Sequence, residues 1–300
     1  MSTKNYLTPS EITEATIETA IKKTKNSKIN MLILGILAGA FIAFAAEGSN
    51  MASFNLIAKA ETYGLGKVLA GAIFGTGLML VLIAGGELFT GNTLIIAGVL
   101  DKKVSLKSML KNWFFVYLGN FIGSILIAYM MNKSGLFTSG DNMLGAVTIK
   151  IAAYKVGLTF TEGLFLGIMC NWLVCLAVWM SYGAKDMAGK ILAIFFPIWL
   201  FITSGFEHSI ANMYYIPAGI MAKGNIALTE AASLLGVTAE KLNHLNWGTF
   251  LTANLIPVTL GNIIGGGIFV GAVYWYLYIK NGKRLKGKLK INNASDNIAA

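Results

Sequence analysis

Six apolar segments fill most of this 300-residue chain, and two of them are broken by a short polar turn that contains glycine. The segments are residues 31–46, 68–100, 110–131, 163–182, 191–222 and 250–279. A helix needs about 20 apolar residues to cross the hydrocarbon core of a bilayer, and each segment reaches or approaches that length. The sequence therefore predicts an all-α integral membrane protein with six transmembrane helices, of which the second and fifth are broken.

The overall composition excludes several other classes of protein. Hydrophobic residues make up 55% and charged residues 13% of the chain, and the mean hydropathy is +0.64, which excludes an ordinary soluble domain and a disordered chain. The net charge of +10 does not predict nucleic-acid binding, because the basic residues are dispersed at the ends of the apolar segments. Cys170 and Cys175 lie on different faces of one predicted helix, so we expect them to form neither a disulfide nor a metal site. No metal-ligand cluster is evident elsewhere, and no cofactor is expected.

The basic residues between and at the ends of the six segments predict the orientation of the chain. Seventeen lysines and arginines fall on the side that carries both termini, and seven fall on the other side. Basic residues accumulate in cytoplasmic loops, so both termini are predicted to lie in the cytoplasm. No cleavable signal peptide is expected, because the first thirty residues are polar.

The two breaks place polar side chains at membrane depth. Residues 85–92 contain Glu87, and residues 204–208 contain Glu207 and His208. Charged or titratable groups are energetically costly in the hydrocarbon region, so they are typical of a substrate or proton path. A broken helix also exposes the electropositive N-terminal end of its second half, and two such ends at one cavity would attract an anion. We therefore predict transport of a small anion or a weak acid.

The chain also contains a weak internal repeat. Leu-Gly-Asn-Phe-Ile-Gly at 118–123 resembles Leu-Gly-Asn-Ile-Ile-Gly at 260–265, and each broken turn holds a glycine, a glutamate and a final asparagine. These matches predict two repeats of three spans, residues 31–131 and 163–279. An odd number of spans gives the repeats opposite orientations in the membrane, which is the inverted-repeat plan of many transporters.

The polar residues of the two turns have a functional and a structural interpretation. His208 can change its charge near neutral pH, so it is predicted to exchange a proton with a weak-acid anion. The alternative is a neutral histidine held by hydrogen bonds. Thr90 can offer a hydroxyl to the same substrate, or it can cap its own turn. The two glutamates would repel an anion, so they are assigned to capping and orienting the broken backbone, together with Asn92 and Asn212.

Two further features bear on the predicted path. Lys155, in a predicted outer loop before the fourth span, is expected to draw anions into a vestibule, although a solvated lysine is the usual alternative. Large apolar side chains are predicted to form collars around the cavity, although each could instead face lipid or pack against another helix. These side chains are Phe74, Leu78, Leu88, Phe89 and Phe201.

The segments outside the spans are shorter and more polar. Thr-Pro-Ser-Glu at 8–11 resembles a capping box and precedes an apolar stripe, so residues 1–29 are predicted to form a cytoplasmic amphipathic helix. Residues 30–280 form the predicted transport domain. Residues 223–247 are expected to be an outer loop with some helical pattern, and residues 281–300 a basic, disordered tail.

Six longer strings carry a resemblance to a known family. They are Gly-Phe-Glu-His-Ser-Ile-Ala-Asn-Met at 205–213, Glu-Leu-Phe-Thr at 87–90, Lys-Asn-Trp at 111–113, Cys-Leu-Ala-Val-Trp-Met at 175–180, Asn-Leu-Ile-Pro-Val-Thr at 254–259 and Gly-Asn-Ile-Ile-Gly-Gly-Gly at 261–267. The chain thereby resembles the formate/nitrite transporter family, and most closely its bacterial formate channels. The first string is highly specific, and the similarity covers roughly residues 9–280.

The resemblance implies an aquaporin-like protomer, a homopentamer with one substrate path per protomer, and a location in the bacterial cytoplasmic membrane. It implies that His208 is the central histidine and that Thr90 lies opposite it. It assigns the five predicted collar residues to two hydrophobic constrictions. It also places two polar residues, Lys155 and Asn171, near the outer vestibule. Two others, Glu207 and Asn212, are implied to brace the turn of the fifth span.

One departure from the family pattern bears on the substrate. After Thr90 the chain carries Gly91 and Asn92, where the enterobacterial formate channels carry small hydroxyl residues, so nitrite or hydrosulfide conduction remains an alternative. The main hypothesis is a formate channel or transporter that passes small monovalent weak-acid anions across the membrane, with proton exchange at His208. From another class, an intramembrane enzyme that uses Glu207 and His208 is a remote alternative.

Overall fold

The fold is that of a computed structural model, which describes residues 6–282. All regular structure in that range is helical, apart from an isolated β-bridge between Tyr6 and Ala184. In chain order the helices are α1 (Pro9–Lys25), α2 (Lys28–Ile57), α3 (Ala60–Gly85), α4 (Phe89–Leu100), α5 (Leu106–Ser134), α6 (Met143–Val156), α7 (Phe160–Gly183), α8 (Met187–Ser204), α9 (Ser209–Ala222), α10 (Ile226–Leu234), α11 (Ala239–His244) and α12 (Trp247–Lys280). Residues 1–5 of the predicted N-terminal segment and 283–300 of the predicted tail lie outside the described residues.

Six of these helices are long and apolar enough to cross a membrane, namely α2, α3, α5, α7, α8 and α12. Helix α4 is apolar but shorter, and α9 has 14 residues. Each of these short helices follows a longer one after a brief non-helical turn, so α3 with α4 and α8 with α9 form two broken spans. The predicted all-α fold with six spans, broken in the second and the fifth, is confirmed.

Each break begins at a glycine with a left-handed backbone. Gly85 ends α3 with φ +106°, and Gly205 follows α8 with φ +79°. A residue with a Cβ atom adopts this conformation only with strain, whereas glycine does so freely, and a left-handed glycine is a common helix terminator. The chain therefore leaves the helix at equivalent points of the second and fifth spans.

Glycines also bring the helices around the breaks into close contact. A Cβ atom on Gly123 of α5 would lie 2.0 Å from the carbonyl oxygen of Ile36 in α2. A Cβ atom on Gly265 of α12 would lie 2.2 Å from the carbonyl oxygen of Ile168 in α7. Small residues at such crossings let helix backbones approach within the bilayer. The two crossings occupy the positions that the matched Leu-Gly-Asn strings predict.

The connection before the fourth span differs from the predicted loop. Residues Met143–Val156 form α6, and most of its side chains are buried, including Leu144 and Ile149. This helix packs mainly against α9 and α10. At 1.5 Å per residue its length is about 21 Å, which is too short to cross the membrane. Lys155 therefore lies at the end of a buried helix, and its assignment to an outer loop is wrong.

Candidate transport site

The two breaks meet at Thr90 and His208. The hydroxyl oxygen of Thr90, in the first turn of α4, lies 2.9 Å from Nε2 of His208, which immediately precedes α9. Both side chains are buried, with exposures of 0% and 3%. The two residues that the family resemblance implies to lie opposite each other are thus in direct contact.

The hydrogen bonds of His208 favour one neutral form of the ring. Nδ1 accepts a hydrogen bond from the backbone N–H of Ala211 at 3.1 Å, so the imidazole caps the N-terminus of α9. A ring nitrogen that accepts carries no hydrogen, so in the neutral ring the hydrogen is on Nε2 and is donated to Thr90. Protonation of Nδ1 would remove this cap and place a positive charge at the electropositive end of a helix.

Two asparagines hold the backbone of the breaks in equivalent ways. Asn120 of α5 accepts a hydrogen bond from the N–H of Phe89 at 2.9 Å and donates to the carbonyl of Glu87 at 2.9 Å. Asn262 of α12 accepts from the N–H of Ser209 at 2.9 Å and donates to the carbonyl of Glu207 at 3.0 Å. Groups left unpaired by an interrupted helix are costly in a membrane, and these side chains satisfy them.

Glu207 is the centre of a buried polar cluster. Lys155 donates to its Oε1 at 2.6 Å, and Asn212 donates to its Oε2 at 2.6 Å. Asn254 of α12 accepts from Asn212 at 2.8 Å and donates to the backbone carbonyl of Lys155 at 2.8 Å. The exposures of Glu207 and Lys155 are only 2% and 9%, so Lys155 is a fixed, paired charge rather than a solvated lysine.

Glu87 is the centre of an equivalent cluster at the other break. Its Oε2 accepts from Lys23 of α1 at 3.1 Å and from Asn92 at 2.5 Å. Lys23 also donates to the Oδ1 of Asn92 at 2.7 Å, and Asn92 donates to Asn112 of α5 at 2.8 Å. Burial lowers the pKa of Lys23, but the Glu87 carboxylate has the opposite effect, and the net result is a raised pKa. Lys23 is therefore cationic throughout the physiological pH range.

The two clusters extend the internal correspondence to α1 and α6. Lys23 precedes the N-cap Ser27 of α2 by four residues, and Lys155 precedes the N-cap Thr159 of α7 by four residues. Each lysine then reaches the glutamate of one break. We call the two ends of the site the Lys23 mouth and the Lys155 mouth.

The carboxylates of both breaks bond to side chains rather than to the broken backbone. This differs from the expected capping role, because Asn120 and Asn262 take the backbone groups instead. The glutamates still orient the turns, since each binds the asparagine five residues further along, Asn92 or Asn212. The expected part of these asparagines in bracing the turns agrees with these contacts.

Asn171 binds the turn that carries Thr90. Its amide nitrogen lies within hydrogen-bond distance of the carbonyl of Thr90 at 3.2 Å, the hydroxyl of Thr93 at 3.2 Å and the carbonyl of Asn262 at 2.6 Å. Its side chain is fully buried, and it does not line the cavity that Lys155 lines. These contacts join the two breaks through Asn171, and its expected role in the vestibule stays a prediction.

The predicted collar residues are all buried, but they lie in different surroundings. The rings of Phe74 and Phe201 pack edge to face with centroids 5.7 Å apart, and Phe201 lies 6.0 Å from the imidazole of His208. Phe89 instead packs edge to face against Trp113 and Tyr117 of α5, at 5.7 and 4.8 Å. Phe74 and Phe201 therefore form an apolar contact beside the histidine. The remaining two residues are also buried: Leu78 lies in α3, and Leu88 lies in the broken turn between α3 and α4.

Comparison with known proteins decides the family. Residues 10–276 match the family described as formate/nitrite transporter. The chain belongs to the formate/nitrite transporter family. A protein of Methanothermobacter thermautotrophicus described as a probable formate transporter is 39% identical, over 92% of this chain and 98% of its own length. The formate channel FocA of Escherichia coli K12 is 37% identical, over 92% of this chain and 96% of its own length.

A solved structure of the same family agrees with the fold. It is described as a pentameric formate channel with formate bound, and it is 38% identical with a TM-score of 0.73. The match covers 84% of this chain and 98% of that one. This member of the formate/nitrite transporter family is therefore a membrane protein whose relatives are channels and transporters.

Asn92 is the residue at which the sequence departs from the pattern expected of the enterobacterial formate channels. It binds Glu87, Lys23 and Asn112. Its position is equivalent to that of Asn212 in the second repeat. The departure therefore makes the two breaks more alike, and it leaves the contact between Thr90 and His208 in place.

Five side chains of the site are absent from the sequence prediction. All of them bind a broken turn although each comes from another helix, and they are Lys23, Asn112, Asn120, Asn254 and Asn262. A signal for Asn120 was present, because it is the asparagine of the matched Leu-Gly-Asn string. Lys23 and Lys155 also lie at the same distance, four residues, before the N-cap residue of a span. A comparison of the two repeats could have used this spacing to identify Lys23.

Proposed function

We propose that the chain is a formate channel or secondary transporter of the cytoplasmic membrane, with both termini in the cytoplasm and one substrate path in each subunit of a homopentamer. The direct contact between Thr90 and His208, at the point where two broken spans meet, carries the proposal. Relatives described as formate channels and the pentameric formate-bound neighbour support the substrate and the assembly.

The charge distribution supports an anion rather than a cation as the substrate. Lys23 and Lys155 flank the two breaks, and α4 and α9 direct their N-terminal ends toward the contact between them. The N–H groups of Ser209 and Ala211 are already bound by Asn262 and His208, so the helix end is less open than an uncapped one. Because both caps are neutral groups, the positive potential of the helix end persists.

The apolar contact beside His208 favours crossing as a neutral acid. A bare anion between Phe74 and Phe201 would lose its hydration without gaining a counter-ion. A proton received near Thr90 and His208 would remove that penalty. The imidazole can donate protons repeatedly only if it also takes protons up. Proton uptake at Nδ1 would break the hydrogen bond from the backbone N–H of Ala211, and loss of this N-cap bond costs about 1 kcal/mol. Return of the proton to the substrate would restore this bond.

Replacement of His208 tests the proposal. Asparagine is a good N-cap residue, so His208→Asn is expected to preserve α9 and the pentamer while removing the titratable group. We expect loss of proton-coupled uptake of labelled formate into proteoliposomes. His244→Asn is the matched control, because His244 lies in α11 outside the spans, with Nε2 3.2 Å from the carbonyl of Val156. Unchanged uptake by His208→Asn would remove the histidine from the mechanism.

A substrate panel distinguishes formate from the family alternatives. Proteoliposomes would be tested with formate, nitrite, hydrosulfide, acetate and lactate, and formate is expected to give the highest rate. A clear preference for nitrite or hydrosulfide would replace formate as the substrate. Recovery of chemically unaltered formate inside the vesicles is expected, whereas a converted product would favour the enzymatic alternative.

A further inference from the structure

The Lys155 mouth opens into a cavity of about 240 Å³ with an excess of positive charge. Lys67, Lys150 and Lys155 line the cavity, together with Glu207. Among the described residues, Lys155 has an ion-pair partner in Glu207, and neither of the other two lysines has one. Lys67 lies beside the break, because a Cβ atom on Gly205 would approach its Nζ to 4.0 Å. The cavity thus holds three lysines and one glutamate, and two of the lysines make no direct ion pair with a described residue.

A buried amide group lines the same cavity and lacks a partner. Asn50 of α2 is 3% exposed, and its Nδ2 has no hydrogen-bond partner among the described residues. Buried donors in native proteins are nearly always paired, so an unpaired amide indicates a group that is satisfied by a bound molecule or by water. A carboxylate or nitrite oxygen is an acceptor for such an amide and also a counter-charge for Lys67.

The cavity lies directly before the apolar contact beside His208. Lys67, Phe74 and Leu78 are spaced seven and four residues apart along α3, so they share one face of the helix. Lys67 is about 10 Å, or two helical turns, from Phe74. A small anion held at Lys67 would therefore be positioned in front of the contact between Phe74 and Phe201.

The equivalent positions at the Lys23 mouth carry different side chains. Glu87 and Asn92 of the first break match Glu207 and Asn212 of the second, and the same spacing in sequence matches Lys67 with Met187. Lys23 matches Lys155, and the spacing between these two lysines matches Lys150 with Glu18 and Asn50 with Tyr182. At these equivalent positions the Lys23 mouth has one lysine and two glutamates, Glu87 and Glu18, where the Lys155 mouth has three lysines and one glutamate. At these positions, the excess of lysines and the unpaired amide occur at the Lys155 mouth.

We propose that the cavity at the Lys155 mouth is a binding site for small monovalent oxyanions such as formate, in which Lys67 supplies the counter-charge and Asn50 a hydrogen bond. Lys150 contributes to the potential from the rim. The site gives this mouth a higher anion affinity than the Lys23 mouth, although the two breaks themselves are nearly symmetric. This inference rests on the proposed function for its substrate, but the binding site is testable without transport.

Chemical labelling tests the site without relying on transport. The purified protein would be acetylated at low reagent concentration with and without formate, and separately with nitrite, and each lysine would be quantified by mass spectrometry. We expect both anions to reduce the labelling of Lys67 and to leave Lys59 unchanged, since Lys59 is an exposed lysine on the same side of the protein. Equal labelling of Lys67 with and without both anions would refute the site, whether or not the protein carries formate.

Transport kinetics test the difference between the two mouths. At low substrate concentration, a passive transporter has the same transport rate per unit of formate concentration in both directions. A difference in anion affinity between the two mouths is therefore measured by the half-saturating formate concentration on each side of the membrane. Lys67→Met introduces the residue of the equivalent position, and it is expected to raise the half-saturating concentration at the Lys155 mouth about tenfold and to leave that of the Lys23 mouth unchanged. Asn50→Leu is expected to have a smaller effect in the same direction.

Two further variants separate binding from folding. Lys67→Arg retains the positive charge and is expected to restore the half-saturating concentration, whereas Lys59→Met removes an exposed lysine and is expected to have no effect. Equal changes at both mouths, or no change in Lys67→Met, would overturn the proposed asymmetry while leaving formate transport itself intact. Absence of formate transport in the unmodified protein would instead contradict the proposed function, and the labelling result would then decide the binding site alone.

Discussion

The ion pair between Lys155 and Glu207 allows the cost of a broken charge pair to be predicted. Lys155→Met removes a hydrogen bond of 2.6 Å and leaves a carboxylate that is 2% exposed without its cation. Removal of one partner from a buried ion pair costs about 3–5 kcal/mol. Asn212 and Asn254 still donate to the carboxylate, at 2.6 and 3.4 Å, so we expect the lower end of this range, about 3 kcal/mol.

The opposite substitution is expected to cost less. In Glu207→Gln the lysine loses its counter-charge, but it lines a cavity and lies 5.3 Å from the ring centroid of Tyr215. Solvent and the aromatic ring can therefore stabilise the ammonium group, and we expect a loss of about 1–2 kcal/mol. The double variant removes both charges, so its loss is expected to fall below the sum of the two single losses by about 2 kcal/mol.

Unfolding of the purified protein in mixed detergent micelles by sodium dodecyl sulfate would measure these differences, with the fluorescence of its six tryptophans as the signal. Lys150→Met is the matched control, because Lys150 lies on the same helix and has no ion-pair partner within residues 6–282. It is expected to change stability by no more than about 0.5 kcal/mol. Equal losses for Lys155→Met and Lys150→Met, or strict additivity in the double variant, would refute the reasoning.

Two further predictions concern the packing and the pH dependence. Gly265→Ala places a Cβ atom 2.2 Å from a backbone carbonyl and is expected to destabilise the fold by about 1–3 kcal/mol, whereas Gly64→Ala meets no atom within 4 Å and is expected to be neutral, as thermal unfolding in detergent would show. The pKa of Lys23 is raised in the folded protein. The contribution of Lys23 to folding stability is therefore fully present at pH values below the ordinary lysine pKa, and it is lost only as the pH rises through the raised pKa. Protection of α1 from proteolysis is therefore expected to be constant from about pH 6 to 9, and a loss within that window would contradict the stated charge of Lys23.

The broken spans could be predicted from sequence because their signals are local. Apolar length, a glycine and a glutamate in one short stretch identify each break, and the structure confirms both. The placement of Thr90 opposite His208 was instead implied by the resemblance to the formate/nitrite transporter family, and the two side chains are in contact in the structure. Local sequence thus contains the element types, whereas the pairing of these two residues came from the family pattern.

The supporting contacts could not be predicted in the same way because they join distant positions. Lys155 reaches Glu207 across 52 residues, and Lys23 reaches Glu87 across 64. Helix α6 is too short to be recognised as a span, and its two lysines resemble those of a solvated loop, so its burial depends on packing against α9. The contacts of Asn171 could not be predicted for the same reason, since its partners lie on two other helices.

Electroneutral crossing beside His208 is tested most directly by formate influx into proteoliposomes held at different membrane potentials. A potential of 100 mV changes the free energy of moving one elementary charge across the membrane by about 2.3 kcal/mol. If formate crosses together with a proton, no net charge moves and the initial influx should be the same at positive, zero and negative potential. A several-fold increase when the vesicle interior is made positive would show that the bare anion crosses, and would contradict proton transfer at the central histidine.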